Sequence, residues 1–70
     1  MLWWFERDGL YTRVEVLHLP GGGCELHIFD ENGVEHLEQF NDAADLSKRQ
    51  QAVHDYLIAA GWKRSGEWLL

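Results

Sequence analysis

Two Asx-Gly dipeptides, Asp8-Gly9 and Asn32-Gly33, each flanked by β-favouring residues, constrain this chain more than any other feature in it. A tight two-residue hairpin turn needs positive φ at both central positions, which Asp or Asn followed by Gly tolerates best. The chain is therefore expected to begin as two hairpins. Between them, Leu19-Pro20-Gly21-Gly22-Gly23 cannot continue a strand, because proline lacks a ladder donor and ordered glycines carry a large entropic cost. That stretch reads as the connecting loop.

After Phe40 the alternation gives way to helical spacing. Asn41 and Asp42 can each cap the new element, with Ser47 and Gln50 offering a later capping box. Leu46, Val53, Leu57 and Ala60 then fall on one stripe, with Gln50 in the gap, and Gly61 suits the left-handed position just past a helix end. Trp62 would fold back onto the core, and Lys63 to Leu70 form a short tail or an edge strand. The predicted fold is α+β, a two-layer ββββα domain over residues 1–70, with one helix on one face of a four-stranded antiparallel sheet and a short C-terminal extension.

One helix covers only one face, so the register decides what the other face holds. A two-residue turn at Asp8-Gly9 opposes Trp3 to Val14, Trp4 to Arg13, Phe5 to Thr12 and Glu6 to Tyr11. The same turn at Asn32-Gly33 would oppose Ile28 to Leu37, Phe29 to His36 and His27 to Glu38. A three-residue loop there would place His36 and Glu38 among core aliphatics, so the two-residue register is preferred. The expected core is Trp3, Phe5, Val14, Val16, Leu26, Ile28 and Leu37, joined by Cys24 and packed against Leu46, Val53, Leu57 and Trp62. Trp4, Tyr11, Arg13, Leu17, His27, Phe29, His36 and Glu38 are left on the second face.

Composition explains why that second face matters. At 70 residues the chain is near the lower limit of independent folding, where only about 60% of the unfolded surface is buried. Cys24 is the single cysteine, so neither a disulfide nor a thiolate metal framework can reinforce so small a core. Association is the remaining common route. Trp4, Tyr11, Arg13, Leu17, Phe29, His27 and His36 form the candidate binding face, with aromatics interleaved with charge as at protein interfaces. A homodimer formed through this face is the leading expectation. The apolar run from Met1 to Phe5 stops at Glu6-Arg7, too short for a signal sequence or a membrane span, so a cytoplasmic location is expected.

The ββββα order also resembles the repeats of the plant Whirly and PUR nucleic-acid-binding families, a likeness of element order over about the first sixty residues. That resemblance implies single strands laid across a sheet face, and it makes a single-stranded nucleic-acid binder the alternative reading. It carries no motif, and no family residue maps onto this chain. Twelve acidic against six basic side chains leave a net charge of -6, which repels phosphates at long range. The first two hairpins contribute only Arg7 and Arg13 against Glu6, Glu15, Glu25, Glu35 and Glu38.

No metal, cofactor or catalytic centre is predicted. His27, His36 and Glu38 would share a face, but neither a helical H-x-x-x-H nor paired cysteines accompany them. Ser47 and Ser65 lie in no nucleophile elbow, the triple glycine lacks the following Lys-Ser/Thr of a phosphate loop, and Cys24 reads as a small core residue with no basic group beside it.

Overall fold

A computed structural model of the chain describes residues 1–68; Leu69 and Leu70, the end of the expected C-terminal extension, lie outside the described residues. Among the described residues the elements run β1 (Leu2–Arg7), β2 (Leu10–His18), β3 (Cys24–Phe29), β4 (Glu35–Phe40), α1 (Ala43–Ala59) and β5 (Lys63–Trp68). The domain is α+β, with an antiparallel sheet in the order β4-β3-β2-β1-β5 and the helix across one face. The C-terminal extension is thus a fifth strand on the free edge of β1. Between Trp4 and Phe5 its register slips by one residue, which leaves Ser65 as the extra residue of a bulge. No helix among the described residues is long and apolar enough to cross a membrane.

Local chemistry explains the helix boundaries. Asp42 is the N-cap, its carboxylate accepting from the Ala44 N–H at 2.7 Å. At the other end Trp62 N–H donates to Leu57 O and Gly61 N–H to Ile58 O, a Schellman closure with Gly61 at φ +92°. The closure carries Trp62 back beneath the helix, where it is buried with Leu57. Arg7 secures the same end from β1: its Nη1 donates to Ala60 O at 2.8 Å while its guanidinium stacks 4.6 Å from the Trp62 ring centre.

The first hairpin has the expected register, with Trp3 opposite Val14, Trp4 opposite Arg13, Phe5 opposite Thr12 and Glu6 opposite Tyr11. Asp8 and Gly9 both take positive φ, +52° and +79°. The buried cluster contains Trp3, Phe5, Val14, Val16, Cys24 and Leu26 from the sheet, with Leu46, Val53, Leu57 and Trp62 above them. Ile28 packs at its margin.

The second hairpin departs from expectation by one residue. Leu26 pairs with Glu38, His27 with Leu37, Ile28 with His36 and Phe29 with Glu35. Asp30 N–H donates to Val34 O and Gly33 N–H to Asp30 O, so the chain turns through three residues with Gly33 at φ +77°. Asp30 holds this loop shut: its Oδ1 accepts from the N–H groups of both Asn32 and Val34, at 2.9 and 3.0 Å. Those backbone bonds, Val34 first, also hold the Asp30 carboxyl below its usual pKa range.

Leu37 therefore leaves the core and is 46% exposed on the open face, whereas His36 and Glu38 move to the helix side. The polar side chains that argued against this register are matched from the helix and from the hairpin loop. Arg49 grips Glu38 with Nε at 2.8 Å and Nη2 at 3.0 Å, and His36 lies 3.3 Å from Asp30. On an edge strand such side chains reach solvent past the helix flank, so polar residues are tolerated there.

Candidate interaction face

On the uncovered side, side chains from successive strands line up in rows across the sheet. The central row runs Trp4, Arg13, Phe29, because Trp4 and Phe29 are each directly opposite Arg13. The guanidinium of Arg13 lies 4.0 Å from the Phe29 ring centre and 5.7 Å from that of Trp4. Its Nε is buried and has no hydrogen-bond partner. Tyr11, diagonal to Trp4 and 55% exposed, meets the Trp4 ring edge-on at 6.3 Å. These four residues and Asp30 line a shallow cleft of about 180 Å³.

The neighbouring row runs Leu2, Glu15, His27, Leu37, and the next joins Leu17, Glu25 and Gln39. His27 is enclosed by acid: Nε2 is 3.1 Å from Glu25, Nδ1 is 3.7 Å from Glu35, and Glu15 lies directly opposite on β2. Hydrogen bonds from Gln39 and then His27 hold the Glu25 carboxyl below its ordinary pKa. The fold thus brings Trp4, Tyr11, Arg13, Phe29, His27 and Leu17 onto one face, with Leu17 two rows from the aromatic group. His36 is on the opposite face, a consequence of the three-residue turn.

Of the two expectations for the segment after Trp62, tail or edge strand, the edge strand holds, and the edge it joins is that of β1. Gly66 is opposite Trp4 and Lys63 opposite Glu6, so the C-terminal strand flanks the indole and sets no side chain directly across from it. Sequence reasoning missed His54. It lies next to Val53 on the edge of the apolar helical stripe, edge-on to Trp3 and Phe5 at 5.0 and 5.2 Å, with Nε2 buried and unpartnered. Burial first, and Arg64 second, push its pKa below the ordinary imidazole value.

Two features bear on catalysis. Cys24 does have a basic neighbour, His18 Nδ1 at 3.4 Å, because the two residues are paired across β2 and β3. The cysteine is buried, and it lines neither the aromatic cleft nor the larger cavity of about 470 Å³ between the helix and the hairpin ends. Around that cavity Arg7 bonds Ala60 O, Arg49 pairs with Glu38, and His36 lies beside Asp30, so these charges are matched within the chain. Among the described residues no cluster of three His, Cys, Asp or Glu side chains is arranged to hold a metal ion.

Comparison of the chain with protein-family models, curated proteins and solved structures finds no match.

Proposed function

We propose that the protein is a small non-enzymatic interaction module that self-associates through its open sheet face, forming a two-fold homodimer. The observation that carries this reading is the Trp4–Arg13–Phe29 row, with Tyr11 beside it, on a face that no element of the described chain covers. A two-fold interface must complement itself, and this face carries both signs of charge: Arg13 and Lys63 with Glu6, Glu15, Glu25 and Glu35. Five strands about 4.8 Å apart, paired over about six residues each, offer roughly 500 Å² per copy, close to the minimum for a specific interface. Trp and Phe side chains each bury about 150–250 Å², so Trp4 and Phe29 from two copies supply several kcal/mol at about 25 cal/mol per Å² before association costs.

Sedimentation equilibrium tests the proposal. A dimer is expected at micromolar concentration. Trp4→Glu should give a folded monomer, and Lys48→Glu on the exposed helix should leave the dimer intact. A wild-type chain that remains at 8.2 kDa up to high micromolar concentration refutes self-association. The same rings could stack on the bases of a single strand, at about 1–3 kcal/mol per base. Saturable tryptophan quenching by an oligonucleotide, weakened by salt and by Arg13→Glu, would put that reading first.

A further inference from the structure

We infer that the association is proton-linked: closing the face takes up protons at His27, so the dimer tightens as the solution is acidified. This rests on the self-association proposed above and names its regulator. Each copy brings Glu6, Glu15, Glu25 and Glu35 to the face against Arg13 and Lys63, so a pair of faces carries an excess of four negative charges while His27 is neutral. Arg13 is held between the Phe29 and Trp4 rings, and Lys63 lies on the far edge strand.

The part of the face beside the aromatic row is acidic, and His27 stands among its carboxylates. Its imidazole reaches Glu25 at 3.1 Å on its own strand and Glu35 at 3.7 Å on β4, and it sits opposite Glu15 on β2. Only 13% of the His27 side chain and 17% of the Glu25 side chain are exposed, so a second copy would remove much of the water that screens them. Carboxylates drawn out of water repel more strongly and need a counter-charge. Two imidazolium groups halve the excess charge of the pair and sit within reach of the carboxylates that need them. The other histidines do not serve this face: His36 and His54 are on the helix side, and His18 pairs with Cys24 on that side too.

A dimer that holds more protons than two separate chains tightens as pH falls. Each proton taken up is worth at most tenfold in the dissociation constant per pH unit, and a symmetric pair has two such sites. The experiment is sedimentation equilibrium of the full chain at pH 8 and pH 6 at one ionic strength, with far-UV circular dichroism confirming the fold of each variant. The expected result is a Kd at least tenfold tighter at pH 6. His27→Gln should abolish that dependence, His36→Gln should retain it, and Glu35→Gln should tighten the dimer at pH 8. A wild-type Kd equal at the two pH values, or a His27→Gln dimer that keeps the wild-type dependence, overturns the inference while leaving self-association standing. A chain that is monomeric at both pH values overturns both.

Discussion

Replacing Leu26 and Leu37 by alanine, one at a time, separates the two faces of the sheet energetically. Leu26 is 0% exposed beneath the helix, and Leu37, on the neighbouring strand, is 46% exposed on the open side. For Leu26→Ala the lost transfer energy and the cavity left behind combine to about 2–5 kcal/mol. A chain of this size has a total stability of about 4–10 kcal/mol, so the variant should be close to unfolding at room temperature. Leu37→Ala removes a half-buried side chain and leaves no cavity, which limits the loss to about 1 kcal/mol. Urea denaturation followed by tryptophan fluorescence measures both. Repeating it at tenfold higher protein concentration exposes any contribution from association, since only a self-associating chain gains stability with concentration. If Leu37→Ala were as damaging as Leu26→Ala with no concentration dependence, Leu37 would lie under the helix. The second hairpin would then have the two-residue turn, with His36 and Glu38 on the open face.

His54 gives the fold its own response to acid. Because burial lowers its pKa, the folded chain binds fewer protons than the unfolded one below the ordinary imidazole value of 6.5. Stability should be unaffected above that pH and fall as the pH drops from it toward the folded-state pKa; a urea midpoint that declines equally in wild type and in His54→Leu between pH 7 and pH 5.5 would contradict this. Glycine substitutions should divide by backbone geometry. Gly33→Ala, at φ +77° with open space around it, should cost about 1–2 kcal/mol, which in so small a domain lowers Tm by several degrees. Gly21→Ala, in equally open space without a positive φ, should be neutral or stabilising by up to about 1 kcal/mol. Calorimetry that found Gly33→Ala harmless would argue against a left-handed Gly33.

The amino-acid sequence by itself determined what depends on near neighbours along the chain. Asp8-Gly9 sets the first hairpin because its two residues can both adopt positive φ, and the register of Trp4 against Arg13 follows by counting outward. Leu46, Val53 and Leu57 are buried because helical spacing puts them on one stripe, and Gly61 ends the helix because a left-handed residue is needed there. Most of the aromatic face was legible on those grounds. Asn32-Gly33 looks like the same signal, yet only Gly33 has positive φ, because the Asp30 carboxylate shuts a longer loop. An Asp at the first position and a Gly at the fourth is itself a type I turn signature, so a local clue was present, outweighed by the apparent cost of turning His36 and Glu38 toward the core. What made that register acceptable is tertiary: Arg49 reaches from the helix to Glu38 across eleven residues, a pairing that no local pattern encodes. Tertiary structure also placed β5 against β1 and set His54 against Trp3 and Phe5, since strand order and side-chain burial depend on where distant segments come to rest.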